Sequence, residues 1–323
     1  MIPTIKRIGV LTSGGDAPGM NAVIRAVTRT AIKHGISVIG VRRGFNGLIH
    51  EDMSELNIRS VSDIIQRGGT VLYTARCNEF RYEEGLQRGK EACQSWGIEG
   101  LVVIGGDGSF RGAADLSARG IPCVGIPGTI DNDIAMTEYT IGYDTAMNTA
   151  MELVDKLRDT TQSHDRCSVV EVMGRNAGYI ALNTGIACGA TYIVVKEVNF
   201  SIDDIIARIL NTQTTGKHHF IIVVAEGMGN CEDIAKKIEH ATKIEARATI
   251  LGHVQRGGSP TVQDRVIGSH MGHYAVELLA QGIGNRVVGM KKGEMIDVDI
   301  QEALRMKKTF SQELYRVASN ISF

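Results

Sequence analysis

The chain predicts an α/β protein of two lobes, each a mainly parallel sheet flanked by helices, and three observations carry that expectation. Short β-branched apolar runs alternate with segments of helical spacing along nearly the whole chain. Glycine clusters at the ends of the strand-like runs, with 38 glycines against 5 prolines, so no cluster reads as a flexible linker. A chain of 323 residues, 43% hydrophobic and 22% charged, can bury a core sufficient for two lobes.

Strands are expected at 7–11, 37–41, 101–104, 121–126, 168–172, 192–195, 220–225, 248–251 and 286–289, where apolar residues run continuously as in strands covered on both faces. Segments 20–34, 144–161, 201–211 and 262–281 carry apolar residues at helical spacing, so each can serve as a right-handed crossover between parallel strands. Ligands of such sheets sit at the carboxyl ends of the strands.

Composition excludes several function classes. A net charge of −1 arises from 35 basic and 36 acidic residues, and the basic ones come only in pairs such as Arg42-Arg43, Lys236-Lys237 and Lys307-Lys308. Neither nucleic acid nor a membrane surface is an expected partner. The six cysteines lack a CxxC spacing and fall largely in apolar runs, which is reduced, cytoplasmic usage. No apolar run approaches the roughly eighteen residues a membrane span needs, and no signal peptide is expected.

Chemistry concentrates where strands end. The run 101–104 stops in Gly105-Gly-Asp-Gly108 before a helical pattern, which aims backbone N–H groups at an anion and sets Asp107 beside it. The bland reading of Asp107 is a helix N-cap. Pro127-Gly-Thr-Ile-Asp-Asn-Asp133 follows the run 121–126 and delivers Asp131 and Asp133 on a loop with Thr129; the same residues also suit an ordinary turn. Thr12-Ser-Gly-Gly-Asp-Ala-Pro-Gly-Met-Asn21 reads either as a plain βα turn or as a second phosphate-facing loop, and the Gly105–Gly108 turn favours the latter. Arg158, Arg166, Arg175, Arg247 and Arg256 stand at or near element ends, where guanidinium forks suit phosphate. Gly252-His-Val-Gln-Arg-Gly-Gly-Ser-Pro260 sets His253 and Arg256 in a glycine-bounded turn, whereas His270 and His273 read as helix surface because nothing beside them completes a metal set. A phosphate cradle, a metal carboxylate and a base are the parts that phosphoryl transfer to an alcohol requires.

The segments LTSGGDAPGMN, VVIGGDGS, PGTIDND, VVEVMGR and GHVQRGGSP, in this order, resemble those of bacterial ATP-dependent 6-phosphofructokinases, and the resemblance covers essentially the whole chain. It implies a larger, ATP-binding lobe of residues 1–142 plus 255–305 and a smaller, sugar-phosphate-binding lobe of 143–254 plus 306–323. It also implies a cytoplasmic, allosteric glycolytic homotetramer with active sites shared between subunits, using ATP, Mg2+ and fructose 6-phosphate. Asp131 matches the base acting on the sugar 1-hydroxyl, Thr129 and Asp133 hold the local geometry, and Asp107 matches the magnesium carboxylate. Gly15, Arg76, Cys77, Gly106, Asp107, Gly108 and Ser109 match nucleotide contacts, and Arg175 the charge that steadies the transferring phosphoryl group. Thr129, Ile130, Asp131, Met173, Gly174, Arg175, Glu226, His253 and Arg256 match sugar-phosphate contacts, while Arg166 and Arg247 match those reaching the 6-phosphate from a neighbouring subunit.

A pyrophosphate-dependent relative is the nearest alternative, but such enzymes typically carry Asp at the position of Gly108 and Lys at that of Gly128. A catalytically silent metabolite-sensing subunit would have lost Asp107 or Asp131, and a dinucleotide oxidoreductase would need a GxGxxG after a strand. Arg25, Arg29, Asp63, Arg158 and Lys217 match an inter-subunit site for ADP or phosphoenolpyruvate. Thr191 stands there in place of a metal-meeting glutamate, and Ile58 and Thr215 in place of Arg and Lys, so a muted or altered effector response is expected.

Overall fold

The computed structural model describes residues 5–322. The chain first runs β1 (Arg7–Thr12), α1 (Met20–Lys33), β2 (Ser37–Val41), α2 (Gly44–Ile49), β3 (Met53–Leu56), α3 (Glu83–Ser95), β4 (Gly100–Gly105), α4 (Asp107–Ala118) and β5 (Cys123–Pro127). It continues with α5 (Tyr143–Ser163), β6 (Cys167–Val172), α6 (Tyr179–Ala187), β7 (Tyr192–Val194), α7 (Ile202–Gln213), β8 (Phe220–Ala225), α8 (Cys231–Thr242) and β9 (Ala246–Ile250). The last elements are α9 (Val262–Ala280), β10 (Arg286–Lys291), β11 (Glu294–Asp299), α10 (Ile300–Arg305) and α11 (Gln312–Ile321).

All nine expected strands form, within about two residues at each end. The two that the sequence reading misses, β3 and β11, are antiparallel edges paired to β2 and β10. Only partly buried, they carry Glu55, Glu294, Asp297 and Asp299, so no continuous apolar run announces them.

Two units emerge. The first comprises the chain through Ile130, Ile134–Thr145 and Arg256–Lys308; the second comprises Asp131–Asp133, Ala146–Gln255 and the chain from Thr309. The break near the start of α5 falls past the expected residue 142 because Thr145 is hydrogen bonded to Asp264 on α9.

In the first unit the strand order is β11-β10-β5-β4-β1-β2-β3, and every pairing from β10 through β2 is parallel. Alternate residues split the faces. Leu11, Ile39, Val41, Leu101 and Val103 pack with Phe45, Leu48, Leu86, Phe110 and Leu116 of α2, α3 and α4, and Ile300 of α10 joins them. The direction of succession reverses at β1, which lies between β2 and β4.

In the second unit the order β7-β8-β6-β9 is wholly parallel. Val169, Ile222 and Val224 pack on Ile205 and Ile209 of α7 and on Ile234 and Ile238 of α8. Here the reversal falls at β6, between β8 and β9. The cysteines are free thiols; Cys93, Cys123, Cys167, Cys188 and Cys231 are buried, and burial pushes each thiol above its ordinary range. Among the described residues no helix is long and apolar enough to cross a membrane.

Candidate active site

Both units present loops at the carboxyl ends of the strands flanking the reversal, where parallel sheets bind ligands. In the first unit these are the loops after β1 and β4. Ser13 N–H donates to the Ile104 carbonyl at 2.9 Å, and the Ser109 hydroxyl donates to the Ser13 carbonyl at 3.1 Å, joining the two loops. A Cβ at Gly105 would lie 2.4 Å from Ser109 Oγ and 2.5 Å from the Ser13 carbonyl oxygen, so only glycine admits this joint.

Helix α1 starts at Gly19 and α4 at Gly106, and neither start carries a side-chain cap. Met20 and Ala22 N–H close turns on the Ala17 and Gly19 carbonyls and Ser109 N–H closes on Gly106, and with no side chain capping either start, each helix N-terminus has the polarity that favours an anion. Asp107 is the first residue of α4 rather than its N-cap, contrary to the bland reading, and it is exposed. A Cβ at Gly106 or Gly108 would meet nothing within 4 Å.

The segment 70–74 lies along the first loop. Thr74 Oγ1 donates to the Gly14 carbonyl and Thr12 Oγ1 to the Tyr73 carbonyl, each at 2.7 Å. Asn21, fully buried, holds this segment through Arg67, Gly69 and Val71, a structural role the motif did not disclose. Arg76 is exposed; Cys77 is half-buried, its thiol pushed up by burial. Arg256 lies on Gly15 and donates from Nη1 to the Asp16 carbonyl at 2.9 Å, so it belongs with the first glycine loop.

The loop after β5 is closed at its base by the bridge Gly128–Ile141 and by Thr140 Oγ1 donating to the Thr129 carbonyl at 2.7 Å. Ile130 is buried, Asp131 is 6% exposed and Asp133 is half-buried, with left-handed Asn132 between the two carboxylates. The return limb ends on Asp264, which sequence reasoning missed. Fully buried, it accepts from Tyr139 Oη at 2.8 Å, Gly142 N at 2.6 Å, Thr145 N at 2.9 Å and Thr145 Oγ1 at 2.5 Å. Burial pushes its carboxyl up and these bonds pull it back down. Its one sequence signal, an acid three residues after Thr261 at a helix start, suggests capping rather than burial.

In the second unit β6 runs into Met173, Gly174 and Arg175, and Arg175 is left-handed with φ 57°. Its backbone N–H donates to the Glu226 carboxylate, Ala177 N–H closes the turn on the Gly174 carbonyl at 2.9 Å, and Gly178 N–H donates to Glu197 Oε1 at 2.9 Å. Glu226 follows β8, and with burial it pushes the Glu171 carboxyl up. His253 is exposed on the 3-10 turn Gly252–Arg256 after β9. Glu245, also missed from sequence, bridges the two outlying arginines, with Arg166 Nε at 2.7 Å and Arg247 Nη2 at 2.6 Å. Hydrogen bonds from Arg247 and then Arg166 hold its carboxyl below the usual range.

Of the effector matches, Arg25 is half-buried and Arg29 and Asp63 are exposed in the first unit, while Arg158 and Lys217 meet in the second. Burial and then the Arg158 charge push the Lys217 ammonium down, and burial followed by both cations pushes His219 down. Thr191 is buried and its hydroxyl has no hydrogen-bond partner among the described residues; Ile58 and Thr215 are exposed. No group of three or more His, Cys, Asp or Glu among the described residues could hold a metal by itself.

Comparison with known proteins bears on the family and the fold. The phosphofructokinase family model matches residues 7–279. The chain is 56% identical over 318 residues to an ATP-dependent 6-phosphofructokinase of Clostridium botulinum, covering 98% of this chain and 100% of that relative. It is 55% identical over 319 residues to that of Clostridium tetani, covering 99% and 100%. Among solved structures, phosphofructokinase from Saccharomyces cerevisiae superposes with a TM-score of 0.89 at 32% identity, covering 98% of this chain and 48% of that one, so the chain spans about half the length of the yeast protein. A pyrophosphate-dependent phosphofructokinase from Marinobacter aquaeolei shares the fold, with a TM-score of 0.85 at 21% identity over 96% of this chain and 88% of that one. Full-length identity above half, together with a family match over most of its residues, means that this chain belongs to the phosphofructokinase family.

Proposed function

We propose that the protein transfers the γ-phosphoryl group of ATP to the 1-hydroxyl of fructose 6-phosphate, giving fructose 1,6-bisphosphate and ADP in glycolysis. The observation that carries this reading is the full-length 56% identity to ATP-dependent 6-phosphofructokinases. In the first unit, the uncapped starts of α1 and α4, with Gly15, Gly106, Gly108 and Ser109, receive the nucleotide phosphates, and Arg76 and Cys77 flank them. Asp107 would hold a magnesium ion, which when bound neutralises phosphate charge; a carboxylate that belongs to no three-residue ligand set suits an ion that takes its other ligands from phosphates and water.

Asp131 accepts the proton of the sugar 1-hydroxyl, and Thr129, Ile130 and Asp133 hold the loop that delivers it. The Arg175 guanidinium steadies the transferring phosphoryl group, since transfer between two polyanions needs fixed cations. Met173, Gly174, Glu226, His253 and Arg256 hold the sugar phosphate. Arg166 and Arg247 reach the 6-phosphate of a neighbouring subunit in a cytoplasmic homotetramer, in which Arg25, Arg29, Asp63, Arg158 and Lys217 line a weakened ADP or phosphoenolpyruvate site.

ATP rather than pyrophosphate is the donor on two grounds. Open space around Gly108 leaves room for the rest of the nucleotide. A Cβ at Gly128 would meet Ile104 Cγ2 at 3.0 Å and Met20 Cε at 3.1 Å, so the lysine typical of the pyrophosphate enzymes would start against packed core. A coupled assay with fructose 6-phosphate tests the proposal: magnesium ATP supports turnover and pyrophosphate does not. Equal rates with both donors would remove the argument from Gly108 and Gly128, and no turnover with ATP would remove the function.

A further inference from the structure

The parallel ladder between β6 and β9 registers Cys167 on Ala246 through Glu171 on Ile250, with Cys167 N–H donating to the Glu245 carbonyl at 2.9 Å. Its last backbone rung is Leu251 N–H to the Glu171 carbonyl at 3.0 Å. By the two-residue period of such a ladder, the next β6 donor, Met173 N–H, belongs to the Leu251 carbonyl. At Gly252, however, the backbone turns left-handed with φ 57° and the chain leaves the sheet. The missing rung is supplied by a side chain: Gln255 Oε1 accepts from Met173 N–H at 3.3 Å, and Gln255 Nε2 donates to the Gly252 carbonyl at 3.2 Å.

The amide orientation follows from the partners, because a backbone N–H can only donate and a carbonyl can only accept. Gln255 is 0% exposed and Met173 is 8% exposed, so water cannot readily replace either bond. Among the ordinary side chains of this length, only a neutral amide supplies both an acceptor and a donor. Glutamate would keep the acceptor and turn a charged oxygen towards the Gly252 carbonyl; methionine would keep the shape and lose both bonds.

We infer that Gln255 is a positioning residue for the sugar-phosphate half of the site, locking the turn that carries Met173, Gly174 and Arg175 to the turn that carries His253. The inference rests on the substrate roles proposed above for those residues. Both bonds of Gln255 lie within the second unit, whereas the glycine loops assigned to the nucleotide belong to the first. A fault at Gln255 therefore selects between the two substrates, as a general loss of folding would not.

The test compares Gln255→Met with the unaltered enzyme in steady-state assays, alongside the rise in melting temperature that each substrate produces in binding. Expected for Gln255→Met are a KM for fructose 6-phosphate raised about tenfold, the scale of losing ordinary buried hydrogen bonds, and a KM for ATP within about twofold. The thermal shift from fructose 6-phosphate shrinks while that from ATP persists, a readout taken only on folded protein. Gln255→Glu retains the Met173 bond but sets a buried negative charge against the Gly252 carbonyl, so it gives a larger change of the same selectivity, whereas Gln255→Asn, an amide one carbon shorter, gives a smaller one and carries the decision if Gln255→Met does not fold. Parallel changes for both substrates, a change confined to ATP, or no change would overturn the inference. The unaltered enzyme tests the proposed function separately, since its failure to turn over fructose 6-phosphate with ATP would indict that reading and not the bridge.

Discussion

The loops after β1 and β4 and the loops after β6 and β9 occupy equivalent places in their sheets, yet they are built from opposite materials. Each pair comprises the loop after the strand where the order reverses and the loop after one of its neighbours, and each is tied across by one buried polar side chain, Ser109 in the first unit and Gln255 in the second. The first pair ends in glycines and uncapped helix starts, so its chemistry is carried by backbone N–H groups. The second pair carries Arg175 and His253, with Glu226 from the loop after β8 accepting from Arg175 N–H, so what it offers a ligand is side chains. A run of phosphates is recognised wherever backbone donors can approach it, which demands the absence of Cβ atoms. A sugar phosphate carries hydroxyls of fixed stereochemistry and needs donors and acceptors set individually.

That contrast can be broken experimentally. The largest effect is expected at Asp131, where Asp131→Asn should lower kcat by about two orders of magnitude or more while fructose 6-phosphate binding stays roughly intact. Near-normal turnover by stopped-flow or coupled assay would take Asp131 out of the mechanism. Next, Ser109→Ala removes the tie between the first pair of loops and should raise the KM for ATP about five- to tenfold with little change for fructose 6-phosphate, the mirror image of the Gln255 variants. Were both substrates affected equally, the division of labour between the loop pairs would fail.

A smaller effect concerns regulation. Each charge-assisted hydrogen bond at an anion site contributes about 1.5–3 kcal/mol. With Thr191, Ile58 and Thr215 where charged groups are expected, half-saturation by fructose 6-phosphate should shift less than about threefold on adding ADP or phosphoenolpyruvate. Large shifts by both ligands would restore a full effector site.

The smallest is a pH effect beside the second pair of loops. Burial and then the Glu226 charge raise the Glu171 carboxyl above its ordinary value. The stability this group contributes is fully present below its unfolded pKa of about 4.3 and is lost as pH rises through the raised folded value. Glu171→Gln should therefore raise the melting temperature near pH 7.5 by about a degree, a small figure because the group is largely solvent-screened, and the gain should vanish towards pH 4. A gain that grew on acidification would have the wrong sign.

Local sequence determined the central strands, because a parallel strand covered on both faces must read as a continuous apolar run, and 220–225 is an example whose ends were legible to the residue. It also displayed the residue types of the loops, since glycine turns followed by helical patterns announce anion-facing backbone wherever they occur. What only the tertiary structure decided is how those loops are held. Asp264 meets Tyr139 across 125 positions, Gln255 meets Met173 across 82 and Glu245 meets Arg166 across 79. Taken locally, the first of these is a helix-start acid, the second a polar residue in a turn and the third a surface charge. A hydrogen bond needs its partner within about 3 Å, and that proximity comes from strand order and register, properties of the assembled sheet that no local window contains.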